Sequence, residues 1–452
     1  MSTTSVPRAP GADWGRLAPA ALTTAGVAVA GWRGFTDPIA WLVLAPGALW
    51  LFTQLLSVLP VAAFWLVPIG MCWFTYLPLL HYEALTLALG AAMVLSALAA
   101  GRLRTIRLQP VEWRYALFLL VMLPGLPAAV SLWRFGGAVK LYLVGIAGFA
   151  VARHASARWG RRAMLLGPVA FVLITVAQLT WRVASSGVPA FKSLVLRTYL
   201  TALTWGTSNY VAAVLVLCMP AMVLFVQESP RRSRLRGFAL AGLVATLASM
   251  FFTLSRGGFL LCVLYLLSLT GALRRSRAPL LALFAGLAAL LAFSPLGRMA
   301  MDRFTSTAQL SSIWARTRIW QAAWERAITH LPFGVGTGQG WLQQDKLQYW
   351  DPHCFPLTLL GEMGPLGLLA WSWVIAALWA AAGRLAREPA TRAAGGAMRA
   401  TIVLGVANSL FEPTLIGNLY HLLFWWLLGI FHGAGPPVDL PAGASREATA
   451  AG

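Results

Sequence analysis

Residues 351–373 read DPHCFPLTLLGEMGPLGLLAWSW. The second half of this run is apolar enough to sit in lipid, yet it opens with Asp351 and His353 and carries Glu362 inside it. Polar groups at membrane depth are costly and are usually retained for function. Is this run one span among many, and which chemistry places an imidazole and two carboxylates at the head of a helix?

Composition answers the first question. Of 452 residues, 59% are hydrophobic and 11% charged, and the mean hydropathy of +0.71 excludes a soluble domain. Apolar runs fall at 17–32, 38–57, 59–80, 84–101, 115–131, 135–152, 163–181, 207–226, 237–254, 257–273, 279–296, 357–382, 400–416 and 419–433. They are continuous and do not alternate as barrel strands would. The expected fold is an all-α polytopic membrane protein, a bundle of about 12–14 transmembrane helices of ~17–25 residues each. Residues 17–32 imitate a signal peptide, but without a clean cleavage site and leading into further spans they read as the first membrane helix.

The formal net charge is +21. In a soluble chain that would suggest nucleic acid. Here the arginines cluster in short connections: Arg102/Arg104/Arg107/Arg114, Arg153/Arg158/Arg161/Arg162, Arg231/Arg232/Arg234/Arg236, Arg274/Arg275/Arg277 and Arg384/Arg387/Arg392/Arg399. Alternate connections carry them, which is the positive-inside pattern, so all five and both termini are expected in the cytoplasm and no nucleic acid is expected as partner. The chain divides into an N-terminal transmembrane bundle (1–296), a long outer-side loop (297–356), C-terminal transmembrane helices (357–433) and a disordered cytoplasmic tail (434–452). A connection as long as the loop is usually functional. It contains an amphipathic helix over about 311–330, with Ile313, Trp314, Trp320, Trp324 and Ile328 along one broad side. Such a face is expected to rest on the bilayer interface.

Four outer-side arginines are candidates for anion binding. Arg256 sits in TLSRGG, a tight turn between two spans, where Ser255, Gly257 and Gly258 would let the backbone approach a ligand closely. Its plainer reading is an arginine that snorkels to the interface. Arg182 lies at the end of the seventh span, and Arg316 and Arg318 lie on the loop helix in IWARTRIW. Guanidinium forks match phosphate oxygens two at a time. Converging on one pocket, they would suit a diphosphate; singly, Arg182 and Arg318 read equally well as members of loop ion pairs. GVGTGQG (334–340) shapes a flexible loop but matches neither a Walker motif nor a dinucleotide fingerprint.

His353 ends the long loop just before Pro356 starts a helix. Its neutral imidazole can take a proton from a sugar hydroxyl. Glu362 faces the protein interior, where it would hold an arginine or a water. Cys354 reads better as a small junction residue than as a nucleophile. Cys72, Cys218 and Cys262 lie within apolar runs with no CxxC pairing. The chain has 14 carboxylates, with no outer-side cluster at divalent-metal spacing, so neither metal nor cofactor is expected.

Three features together resemble the O-antigen ligase/polymerase family of bacterial envelope proteins: TLSRGG between two spans, the R-x-R-x-x-W helix running into LPFGVGTGQG, and HCFPLTLLGEMGPLG opening the next span. The family's H-N…E-x-G-x-x-G pattern is met by His353, Glu362, Gly364 and Gly367, with Cys354 where asparagine is usual. The resemblance implies a metal-independent, inverting membrane glycosyltransferase of GT-C-like fold in the bacterial inner membrane. It further implies a periplasmic active site, a polysaccharide donor on undecaprenyl diphosphate, and a lipid A-core sugar hydroxyl as acceptor. His353 would be the general base and Arg256 would bind the donor diphosphate, with Arg182, Arg316, Arg318 and Glu362 completing the site. Membrane lipids are the remaining partner, and a monomer is expected. A polymerase of the same family needs the same residues. A transporter for a lipid-linked sugar would instead place charges near mid-bilayer and pair its broken helices.

Overall fold

Apolar runs bounded by arginine, glycine and proline become helices because lipid offers the backbone no other partner. The computed structural model describes residues 60–73, 82–99, 109–127, 132–185, 202–204, 206–253, 255–272, 286, 307–338, 352–412 and 414–433. Expected spans at 17–32 and 38–57, the span 279–296 apart from residue 286, loop residues 297–306 and 339–351 with Asp351, and the tail 434–452 lie outside them. The chain divides into two compact units, Met1–Ala63 with Ala88–Ile106, and Phe64–Leu87 with Arg107–Gly452. The second unit holds every candidate site residue.

The helices are α1 (Pro60–Trp73), α2 (Tyr82–Ala99), α3 (Pro110–Val121), α4 (Leu132–Trp159), α5 (Arg161–Ser185), α6 (Ser208–Glu228), α7 (Arg234–Thr253) and α8 (Arg256–Ala272). They are followed by α9 (Thr307–Thr329), α10 (Phe355–Arg387), α11 (Arg392–Ser409) and α12 (Asn418–His432). Among the described residues there is no strand, only an isolated bridge between Leu203 and Gly206. Four described helices are long and apolar enough to cross a membrane: Arg134–Trp159, Arg161–Ser185, Ser208–Glu228 and Phe355–Arg387. The protein is therefore an all-α, multi-pass membrane protein.

The apolar helix α12 is buried on every side from Leu419 to Phe431 and packs most closely on α4. Small residues allow this approach, as is common between helices in lipid. Cβ atoms added at Gly145 and Gly148 of α4 would run into His421 and Leu422, and one at Gly429 of α12 would meet the Phe149 carbonyl. Beside this contact lies an aromatic cluster. Tyr115 sits edge-on to Trp425 at 4.7 Å and Phe118 to Tyr142 at 5.1 Å, while Trp371 stands 5.1 Å from Phe355 and 5.2 Å from Phe118. Each edge-to-face pair contributes about 0.5–1.5 kcal/mol beyond its buried area. Phe355 heads α10, so this cluster supports the helix start that comes after His353.

At the other end of the bundle two arginines are neutralised. Arg153 pairs with Glu112 at 2.9 Å, and Arg161 donates through Nε to Glu228 at 2.7 Å. Helix α10 is broken near its head. Gly364 has φ +67°, and a Cβ there would collide with the Pro332 carbonyl, so only glycine fits. Helix α9 buries Ala323 and Ala327 and half-buries Trp320, whereas Trp324 and Ile328 remain half exposed. The broad apolar side expected of this helix is thus split. The stripe with the small alanines packs inward, leaving the outer half of the expected bilayer-facing surface. The side chains of Ile313 and Trp314 lie outside the described residues.

Gly429→Leu is expected to force α4 and α12 apart and to cost about 1–3 kcal/mol, the usual penalty of overpacking. Thermal unfolding of the purified protein checks this; an unchanged midpoint would contradict the packing.

Candidate active site

The TLSRGG turn is built by capping. The Ser255 hydroxyl accepts the Gly258 N–H at 3.2 Å, closing the first turn of α8. The Ser208 hydroxyl donates to the Thr253 carbonyl at 2.6 Å and ties the head of α6 to the tail of α7. Arg256 is left as the first residue of α8, half-buried. Gly258 serves packing, since a Cβ there would lie 2.7 Å from the Ala212 methyl group. Of the two glycines, Gly257 is the one beside open space.

Arg316 projects from α9 onto the turn after α11. Its Nη2 donates to Glu412 Oε1 at 2.9 Å and its Nη1 to the Phe411 carbonyl at 2.7 Å. Asn209 of α6 donates to the same carboxylate oxygen at 3.2 Å. The turn is held from within by buried Asn408, whose carbonyl accepts from the Phe411 and Glu412 N–H groups and whose amide donates to Thr414 Oγ1 at 2.6 Å. His421 Nδ1 donates to the Leu415 carbonyl at 2.7 Å, linking this turn to the aromatic cluster.

His353 is fixed from both sides. The Trp320 indole donates to the Pro352 carbonyl at 2.6 Å, and the Cys354 carbonyl accepts the Thr358 N–H as α10 begins. Between them His353 takes φ +53°, a left-handed conformation that costs a non-glycine residue roughly 1–2 kcal/mol. Strained backbone of this kind clusters at functional sites. Burial pushes the imidazole below its ordinary pKa; the Glu412 carboxylate pulls it up and the Arg316 guanidinium pushes it down, with a lowered pKa as the result. Arg316 and Glu412 also act on Arg256. Of these three candidates from three separate sequence motifs, Arg316 contacts the Glu412 carboxylate directly, and Arg256 and His353 both lie within electrostatic range of that pair.

The other candidates fall elsewhere. Arg182 is exposed in the last turn of α5, and Arg318 is exposed on α9, two residues round from Arg316. Neither is among the charges acting on His353 or Arg256. Glu362 is buried, and its carboxylate accepts the Gly338 N–H at 2.9 Å while its carbonyl accepts the Gly336 N–H at 3.0 Å. Through these contacts it organises the glycine loop. Among the described residues no group of three or more His, Cys, Asp or Glu could hold a metal ion.

Glu412 and Asn209 are not among the residues that the sequence singles out. Glu412 falls inside the apolar run 400–416, and a carboxylate within an expected span is itself a functional signal. The helix in fact ends at Ser409, so Glu412 belongs to the connecting turn.

The fold and site define a polytopic membrane protein that gathers two guanidinium groups, a carboxylate and an imidazole at one end of its bundle. Residues 241–372 match the family model described as O-antigen ligase, which supports an O-antigen ligase/polymerase assignment for this segment. No curated protein matches the chain. The family implies glycosyltransferase-type enzyme activity in the context of membrane lipid and lipid-linked polysaccharide. The match spans TLSRGG, the Arg316 helix and the His353 junction; Asn209 and Glu412 lie outside it.

If His353 works as a base, activity falls as pH drops through its pKa and the imidazole is protonated. The acid limb of kcat/KM is therefore expected below about 6.5, the ordinary histidine value. Glu412→Gln should move that limb further to acid and Arg316→Gln back toward neutral. A pH–rate profile whose limb does not move in either variant would contradict the electrostatic coupling.

Proposed function

We propose that this protein is an O-antigen ligase of the bacterial inner membrane. It transfers a polysaccharide from undecaprenyl diphosphate to a sugar hydroxyl of lipid A-core on the periplasmic side. The observation that carries this reading is the shared neighbourhood of Arg256, Arg316, Glu412 and His353, in which Arg316 and Glu412 act on both of the others. A diphosphate needs guanidinium donors, an acceptor hydroxyl needs a base, and a transferase needs both at one mouth.

The reaction is one displacement. The acceptor oxygen attacks the anomeric carbon and gives its proton to His353. The new glycosidic C–O bond forms as the bond to the phosphate oxygen breaks, with inversion at the anomeric carbon. Undecaprenyl diphosphate leaves, and Arg256 and Arg316 stabilise the negative charge that develops on its departing oxygen. Glu412 and the Phe411 carbonyl occupy two of the five N–H groups of Arg316, which orients the fork and leaves the others for phosphate. The exposed Arg182 and Arg318 would assist only at the rim. Glu362 acts by shaping the glycine loop. No step requires a metal.

His353→Ala is expected to lower transfer by about 10²–10⁴-fold, the usual worth of a general base, and Arg256→Ala by about 10²–10³-fold. Both variants should remain folded in the membrane, and chelators should leave the wild type active. Wild-type turnover in His353→Ala would remove its role, and inhibition by EDTA reversed by a divalent ion would overturn the metal-free mechanism. The glycans of cells lacking the protein separate ligase from polymerase. Long chains stranded on undecaprenyl diphosphate with bare core mean a ligase; a single repeat unit on the core means a polymerase.

A further inference from the structure

Beside the charged cluster, between the heads of α2, α6 and α12, lies a cavity of about 390 Å³ lined by Tyr82, Gly206, Thr207, Tyr210, Gly417, Asn418 and Leu419. Its volume falls in the roughly 300–1,000 Å³ range of small-molecule sites. Among the described residues none of the lining is charged, so the cavity does not suit the diphosphate itself. It adjoins the cluster through two chain segments. Tyr210 comes directly after Asn209, the donor to Glu412, and Gly417 closes the turn that begins with Glu412.

The cavity has a fixed aromatic wall. The Tyr210 hydroxyl accepts the Tyr420 N–H at 2.8 Å and so caps α12 from another helix. The ring lies close against two glycine backbones: a Cβ at Gly206 would stand 2.7 Å from Tyr210 Cδ1, and one at Gly417 would stand 2.6 Å from its hydroxyl oxygen. Any larger residue at either position would displace the ring. The polar lining comes from Asn418, whose side chain is exposed, and from Thr207, which holds the N-cap position of α6 without a side-chain capping bond. A rigid ring beside an amide and a hydroxyl, with no charge, is the chemistry that receives a neutral pyranose. The apolar ring faces the sugar C–H groups, and the amide and hydroxyl meet its hydroxyls.

We infer that this cavity is the acceptor subsite, holding the sugar ring whose hydroxyl is presented to His353, with Asn418 and Thr207 as its polar contacts and Tyr210 as its stacking platform. The inference rests on the transferase reading above, and it divides the labour of the site: charge for the donor diphosphate, aromatic and neutral polar groups for the acceptor.

The test uses the full chain in nanodiscs, since detergents with sugar headgroups would compete. The probe is radiolabelled core oligosaccharide of the host strain, stripped of lipid, and its binding is measured without donor. The wild type and Arg256→Ala are expected to bind it alike, while Asn418→Ala and Thr207→Ala bind it about tenfold more weakly. In transfer assays the same two variants should raise KM for acceptor about tenfold and leave KM for donor unchanged. Unaltered binding and KM in both would overturn the subsite. So would a loss confined to Arg256→Ala, which would place the core in the charged cluster, or displacement of the probe by undecaprenol alone, which would make the cavity a lipid groove. A wild type that binds the probe but transfers nothing would sink the transferase reading and leave the sugar site standing.

Discussion

The pairing of Arg316 with Glu412 is the constraint on which the site depends. It joins the loop helix α9 to the turn between α11 and α12, segments almost a hundred residues apart in the chain. Asn209 brings α6 to the same carboxylate. Without Glu412, Arg316 would lose its carboxylate partner while its charge still acts on Arg256 and His353. The pair is half-buried, so its attraction is less screened than that of a surface pair, and breaking it would leave a charge in a poorly solvated mouth. Arg316 therefore has two tasks: it holds the loop helix in place, and it retains donors for an anionic ligand.

The remainder of the unit keeps that mouth rigid. The aromatic cluster reaches the site by two routes, through Phe355 to the helix start beside His353 and through His421 to the Leu415 carbonyl of the Glu412 turn. The break at Gly364 lets Gly361 and Glu362 turn their carbonyls toward the glycine loop, where the Val335 and Gly336 N–H groups meet them at 2.8 and 3.0 Å. This satisfies backbone groups that an unbroken helix would have paired internally. Irregular backbone of this kind at membrane depth is tolerated where protein or a water-filled cavity covers it.

The fold was legible where it depends on local pattern. The runs 163–181, 207–226 and 257–273 became Arg161–Ser185, Ser208–Glu228 and Arg256–Ala272, because arginine or a capping residue bounds each apolar stretch. It was less legible in the run 115–131, which ends as α-helix at Val121 and continues as a 3₁₀ turn over Leu123–Gly125. For the site, residue chemistry and motif spacing were enough to single out Arg256, Arg316 and His353. They could not show that Arg316 contacts Glu412 with the other two in electrostatic range, since that contact spans distant segments and leaves no local period. Nor could they show that Arg318 points away from Arg316, that Gly258 is spent on packing against α6, or that Glu362 serves the glycine loop. Each of these comes from tertiary contact alone.

Equilibrium binding of undecaprenyl diphosphate to the purified protein in nanodiscs tests the central claim most directly, because it asks what the two guanidinium groups hold without requiring turnover. Tight binding by the wild type and by His353→Ala, weakened at least about tenfold in both Arg256→Ala and Arg316→Ala, is the expected result. Binding that survives both arginine substitutions unchanged would contradict it, and the cluster around Glu412 would then be a structural clasp with the donor bound elsewhere.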